Sequence, residues 1–254
     1  MKKGVSAGDT DYGIIGSSYS DFRKPEPKIL EVIVSQLDGA CSVLNVGAGT
    51  GFYEPPNIDI TAVEPSRTMR SQRSSGLKPA IDAVAEDLPF ADNTFDASMS
   101  IFSIHQWKDL RKGLAQMRRV TQGKVILMSC LPSKVCEYWL YDYAPQILEI
   151  EAKPFPSKEK IEDGLNQKVN SIQVPIPLNC SDGFNEAYYG RPERLLNKEA
   201  RQSCSSWSFV DSRLADEYVS NLKNDIDSGE WDLRYGNLRQ DDFYLGSLYL
   251  FVTI

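Results

Sequence analysis

The sequence predicts an α/β protein built on a doubly wound, mostly parallel sheet with helical cap insertions. Three observations carry that expectation. The apolar run Val43-Leu44-Asn45-Val46 leads straight into the alternating glycines Gly47, Gly49 and Gly51. A second run, Ile60-Thr61-Ala62-Val63, closes on the carboxylate of Glu64. Beyond them, short apolar stretches alternate with amphipathic ones, the pattern of strand–helix–strand units. Glycine lets the backbone turn tightly and approach a ligand with no Cβ in the way. A carboxylate ending the neighbouring strand is placed to accept hydrogen bonds from a ribose diol. Together they read as a nucleoside-binding edge of the sheet.

The elements follow in order. Pro25 and Pro27 set up a helix over 28–37. Residues 42–46 form the first strand and 59–64 the second. Residues 66–73 form a helix capped by Ser66. A third, weaker strand spans 78–84 and a fourth 94–100, before an amphipathic helix over 106–120. The fifth strand, 124–129, is apolar throughout, as expected when helices cover both sheet faces. Only about a dozen residues join the first two strands, the minimum for a parallel crossover. Pro55 and Pro56 fall among them, so the helix N-terminus that would face a phosphate is cut short. From residue 131 the character changes. Residues 134–150 are aromatic-rich and read as one helix, 158–165 as another. Residues 171–176 form a strand, 192–203 and 211–227 form helices, and 242–254 closes the chain as a long apolar strand. The expected organisation is a single domain over 1–254, with a binding core at 28–130. Cap or substrate-side insertions at 131–168 and 178–240 lie over the ligand edge, and 241–254 is the closing strand.

At 254 residues, with 41% hydrophobic and 25% charged side chains, the chain has the composition of an ordinary soluble globular domain. No apolar run approaches the roughly 20 residues that span a bilayer. The first 20 residues are polar, without an apolar stretch of signal-peptide type. A cytoplasmic protein with no membrane partner is expected. The formal charge of −7 argues against a general grip on nucleic acid. The five cysteines, Cys41, Cys130, Cys136, Cys180 and Cys204, contain no Cys-x-x-Cys pair, and the one histidine, His105, cannot complete a zinc set; no metal is expected.

From residue 12 to 129 the chain resembles the class I S-adenosylmethionine-dependent methyltransferases, in particular the methyltransferase type 11 group. Five pieces in order carry the resemblance: the glycine loop after Val43, then Val63-Glu64-Pro65-Ser66, then Ala85-Glu86-Asp87-Leu88-Pro89-Phe90 with Asn93-Thr94-Phe95-Asp96, then Ser103-Ile104-His105-Gln106-Trp107, then Met117-Arg118-Arg119-Val120. It implies a seven-stranded Rossmann-like sheet of order 3-2-1-4-5-7-6 with the last strand antiparallel. Residues 242–254 would then lie between strands five and six.

The resemblance also implies the cofactor, S-adenosyl-L-methionine, and its contacts. Gly47, Ala48, Gly49 and Gly51 pass beneath its methionine and ribose, and Glu64 binds the ribose hydroxyls. Pro65 and Ser66 lie beside the adenine, with Ala85 and Glu86 on its other side. Ser100 and Ile101 lie under the sulfonium. Tyr12, Tyr19 and Arg23 match the family's lid, where Tyr19 or Arg23 meets the methionine carboxylate. Asn45 stands where the family often has Asp or Glu, and Val84 where an Asp usually meets the adenine amine. A nicotinamide dinucleotide fits poorly, because Phe52 holds the third-glycine position of G-x-G-x-x-G.

His105 is the candidate catalytic residue, a neutral imidazole able to take a proton from a substrate hydroxyl or amine, which would tie turnover to a titration near neutrality. The other reading is a helix cap or a buried carbonyl's partner. Trp107, Trp139 and Tyr143, with Asp182, Tyr189 and Arg191, are candidate substrate-pocket residues; a core-packing stripe and a surface salt bridge are the plain alternatives. The expected activity is methyl transfer to an O, N or C atom of a small organic molecule. The alternatives are a non-catalytic S-adenosylmethionine-binding protein or partner subunit, and an enzyme that methylates RNA or protein.

Overall fold

The computed structural model describes residues 23–37 and 39–254. Helix α1 (Pro27–Gln36) starts on a proline at a position whose N–H has no intrahelical partner anyway. The Glu26 side chain caps it by accepting from Lys28 N. Next come β1 (Ser42–Val46), β2 (Asp59–Val63), α2 (Arg67–Ser71), β3 (Ala97–Ile101), α3 (Leu110–Val120) and β4 (Val125–Cys130). The second half contributes α4 (Pro132–Val135), α5 (Pro145–Ala152), α6 (Lys158–Leu165), β5 (Val169–Gln173), β6 (Ile176–Pro177), α7 (Lys198–Gln202), α8 (Ser212–Ser228), α9 (Glu230–Tyr235), β7 (Phe243–Tyr244) and β8 (Leu248–Thr253).

The main sheet runs β2-β1-β3-β4-β8-β5. Strands β1 to β4 are mutually parallel, and β8 lies antiparallel between β4 and β5. The closing strand therefore sits where it was expected. The third strand, expected over 78–84, shrinks to one parallel rung, Ile81 against Val63. Pro79 supplies no N–H to a ladder, and Ile81 and Val84 are 40% and 42% exposed, so little burial rewards a longer edge strand.

Alternating side chains feed two cores, one on each face of the sheet. Val43, Met99, Ile126 and Met128 pack with Ile29 and Ile33 of α1. Leu44, Val46, Val125 and Leu127 pack with Leu114 and Met117 of α3. All six residues of β4 are buried, as two covered faces require. Helix α6 joins the second core through Ile161 and Leu165. Gly164 lets it approach α3 closely, since a Cβ there would fall 2.6 Å from Leu114 Cδ1.

Several expected helices are broken by identifiable residues. The run 134–150 divides into α4, a 3-10 turn at Trp139–Asp142 and α5. Pro145 restricts Ala144 to φ −137°, ψ 59°, outside the helical region. The helix expected from residue 106 starts at Leu110, because Asp109 takes the cap by accepting from Lys112 N at 3.0 Å. Ahead of it stands a separate 3-10 turn, Ile104–Gln106. Residues 192–203 likewise divide into a 3-10 turn and α7, with Asn197 capping the latter.

Candidate functional site

At the C-terminal end of β1 the chain turns under its own neighbour. Gly47 N and Ala48 N donate to Val63 O at 2.9 and 3.0 Å, tying the loop to β2. Gly47 holds φ +67°, and a Cβ on it would lie 1.8 Å from Ser103 Oγ, so neither backbone nor space admits a side chain. Gly49, at φ +54°, differs: a Cβ there meets nothing within 4 Å. Its bare backbone faces open space.

Glu64 is 7% exposed and bridges two loops. Its Oε2 accepts from Gly49 N and its Oε1 from Ser66 N, both at 2.8 Å. Carboxylate oxygens have further lone pairs, so Glu64 can accept from a diol as well. Behind the loop, Glu54 and Arg73 form a 2.8 Å ion pair, their side chains 3% and 4% exposed. Glu54 Oε1 also accepts from Asn45 Nδ2 at 3.0 Å, which orients that amide. Asn45 Oδ1 is left buried with no hydrogen-bond partner among the described residues. An orphaned acceptor of this kind costs about 1–3 kcal/mol unless a ligand donates to it.

These groups line one cleft: Asn45, Gly47, Ala48, Gly49 and Glu64 on one wall. Ile101, Phe102 and Ser103 line the cleft as well, together with Arg23, Tyr53 and Asp182. Asp182 is 1% exposed and holds Arg23 through two bonds, while Tyr53 OH donates to its Oδ2 at 2.9 Å. Burial, then the Asp182 charge, pushes the Tyr53 hydroxyl well above its ordinary pKa, so it remains a donor.

Residues 44–129 match the family described as a methyltransferase domain. The chain carries a methyltransferase domain. Its fold is that of a putative methyltransferase from an antibiotic biosynthesis pathway of Anabaena variabilis, with a TM-score of 0.82 and 27% identity over 92% of this chain and 99% of that one. The chain is also similar to the demethylmenaquinone methyltransferase of Renibacterium salmoninarum, 38% identical over 94 residues. That match covers 34% of this chain and 39% of the relative's length. The demethylmenaquinone methyltransferase of Thermotoga maritima is 28% identical over 163 residues, 58% of this chain and 71% of the relative.

Of the residues the sequence assigned to the cofactor of the methyltransferase domain, Arg23, Asn45, Gly47, Ala48, Gly49, Glu64 and Ile101 line the cleft. Tyr12 and Tyr19 lie outside the described residues. The others stand elsewhere. Gly51 turns toward Leu77 and Arg73. Ser66 caps α2 through Met69 N, and Pro65 O accepts from Arg70. Ala85 is buried in the second core, and Glu86 accepts from Asp109 N at 3.0 Å, fixing the entry to α3. Ser100 is fully buried in β3, its Oγ without a partner among the described residues.

The substrate-side expectations divide more sharply. Asp182, expected in a substrate pocket, lines the same cleft as the glycine loop and is held by Arg23 rather than free as a base. Trp139, Tyr143, Tyr189 and Arg191 do not reach it. Trp139 donates to Tyr189 O at 2.8 Å, Tyr143 to Asp225, and Tyr189 stacks on Tyr244 while its hydroxyl donates to Asp241 O. Arg191 spends its guanidinium on Cys180 O and Ala187 O. Trp139, Tyr143 and Tyr189 belong to the core, because an aromatic stripe satisfies its polar tips most cheaply by packing inward. Trp107 donates to Ser103 Oγ at 3.1 Å and packs against Gly113.

His105 lies behind Phe102 in a second, inner cavity. Burial, with a smaller push from the Arg23 charge, lowers its pKa to about 4. The imidazole is therefore neutral at pH 7, and its titration falls well below the neutral range expected from sequence. Its Nδ1 is buried with no partner among the described residues.

Tyr53, Met69, Phe102 and Gln106 line the cleft without having been singled out from sequence. Phe102 is the most informative of them. It is a bulky residue at φ +53°, which costs roughly 1–2 kcal/mol and persists only where its surroundings enforce it. No linear pattern marks that strain.

Proposed function

We propose that the protein is an S-adenosylmethionine-dependent methyltransferase acting on a small organic molecule. One observation carries this reading. The buried orphan Asn45 Oδ1, the open face of Gly49 and the pinned carboxylate of Glu64 line a single cleft. They supply an acceptor for an ammonium, a bare backbone and a diol acceptor, the groups needed along an amino-acid–nucleoside conjugate. Asn45 would hold the methionine ammonium and Glu64 the ribose, while Arg23, which also lines the cleft, would meet the carboxylate. The cofactor, when bound, supplies a methyl group already activated on a sulfonium. The chain's own task is then alignment and exclusion of water.

The small-molecule assignment is supported by the relatives named for demethylmenaquinone and by the small second cavity beside Phe102. A net charge of −7 disfavours a nucleic-acid substrate. Among the described residues no helix is long and apolar enough to cross a membrane. All five cysteines are free thiols, in keeping with a reducing, cytoplasmic setting.

The activity test is direct. The purified chain is incubated with methyl-tritiated S-adenosylmethionine and a fractionated small-metabolite extract. Label is expected in a low-molecular-weight fraction, and not in added RNA or protein. Label appearing only in macromolecules would overturn the assignment.

A further inference from the structure

Phe102 and Arg23 line both the cofactor cleft and a second, inner cavity. The inner cavity measures about 70 Å³, room for a handful of water molecules. It therefore takes a small molecule, or the head of a longer one. Its walls combine the rings of Phe102, Phe155 and Phe184 with Arg23, His105, Cys130 and Glu151.

Glu151 is held in a defined orientation. Trp207 Nε1 donates to Asn185 Oδ1 at 3.0 Å, which fixes the amide so that its NH2 group meets Glu151. Asn185 Nδ2 and Ser206 Oγ both donate to Glu151 Oε2. No bond from the described residues reaches Oε1. Both donors are neutral, so no cation neutralises this carboxylate at hydrogen-bond distance. Arg23, which also lines the cavity, is engaged by Asp182, and Glu186, its pKa raised to about 8, is protonated at pH 7 and adds no charge. Burial accordingly pushes the Glu151 carboxyl above its ordinary pKa. His105 is neutral and contributes no positive charge.

A carboxylate with one oxygen available, surrounded by aromatic rings, suits one kind of guest. An ammonium group gains a charge-assisted hydrogen bond from the first and cation–π attraction from the second. A neutral hydroxyl gains much less. We propose that the inner cavity binds a small organic ammonium compound, its N–H donating to Glu151 Oε1 and its charge lying against the rings of Phe155 and Phe184, the Phe102 ring being already faced by Arg23. This rests on the reading of the outer cleft as the S-adenosylmethionine site; the ammonium, which has no lone pair while protonated, anchors the guest and is not itself the methylated atom.

The test uses the full chain saturated with S-adenosylhomocysteine and two isosteric probes, benzylamine and benzyl alcohol, titrated calorimetrically at pH 7. Wild type is expected to bind benzylamine at least tenfold more tightly than benzyl alcohol. Glu151→Gln keeps an acceptor for Asn185 and Ser206 but turns an NH2 toward the cavity, and it is expected to abolish that preference. Equal or tighter binding of the alcohol, no binding of either probe, or an unchanged preference in the variant overturns the proposal. If Glu151→Gln does not fold, the amine-to-alcohol ratio of wild type still decides. The S-adenosylhomocysteine titration of wild type is read first. No binding there overturns the outer-cleft reading, whereas binding without an amine preference overturns the ammonium proposal alone.

Discussion

Glu64 Oε2 accepts the backbone N–H of Gly49 at 2.8 Å, across a gap of 15 residues in sequence. The acid that ends β2 thus holds the glycine loop that ends β1. Because Glu64 Oε1 simultaneously takes Ser66 N, the carboxylate has a fixed position between the two loops. A ligand then meets a preformed acceptor and does not have to order it, which is how preorganisation raises affinity.

The two glycines of the loop should respond differently to one methyl group. Gly47→Ala places a Cβ 1.8 Å from Ser103 Oγ at φ +67°, so the fold itself must shift. A loss of roughly 2–4 kcal/mol in urea unfolding is expected. Gly49→Ala meets open space and bears only the backbone cost, about 1–2 kcal/mol. Its larger effect is on the ligand, since the methyl fills the cleft: cofactor affinity should fall well beyond what the stability change explains. Equal destabilisation by the two variants would contradict this geometry.

Behind the loop, the Arg73–Glu54 pair is almost wholly buried. Removing one partner strands a charge, so Arg73→Met should cost about 3–5 kcal/mol. The double variant Arg73→Met/Glu54→Gln leaves no stranded charge and should recover most of that loss. A double-mutant cycle in denaturant reads the coupling, and additive effects would show that the pair is solvated in solution.

What could be read from sequence was what local spacing encodes. Gly47, Gly49 and Glu64 act through backbone turns and neighbouring strand ends, so their roles follow from their positions. The placement of 242–254 between β4 and β5 followed from the family pattern, not from the residues alone. Trp139, Tyr143, Tyr189 and Arg191 were misplaced because an aromatic run looks the same whether it lines a pocket or fills a core. The structure resolves this through Pro145, which breaks the expected helix, and through the polar tips of Trp139, Tyr143 and Tyr189, each of which finds a protein partner. Asp182 and Arg23 meet across 159 residues, a contact that no periodicity announces. His105 was located near the fourth strand's end, but its titration depends on burial, which is a property of the fold.

Stability should carry the signature of a buried acid. Glu186 has its pKa raised to about 8, chiefly by burial. The folded protein therefore keeps a proton that the unfolded chain releases above about pH 4.5. This contribution is full below that pH and is lost progressively as the pH rises toward 8. His105, lowered to about 4, works in the opposite direction: its folded form refuses a proton that the unfolded chain takes up. Stability from that group is gained between about pH 4 and 6.5. From pH 6.5 to 8 only the Glu186 effect of the two operates. Wild type should lose on the order of 2 kcal/mol over that interval, and Glu186→Gln markedly less. Parallel pH profiles for the two proteins in urea unfolding would contradict the assignment.

The central claim is that the loop after β1 and the acid after β2 together hold an adenosyl group. Calorimetric titration of S-adenosylhomocysteine into wild type and Glu64→Ala tests it most directly, with thermal unfolding confirming that both proteins are folded. Loss of charged hydrogen bonds worth about 2–3 kcal/mol corresponds to roughly 30- to 150-fold weaker binding, and that is the predicted result. Indistinguishable affinities for the two proteins, or no heat from wild type, would contradict the account.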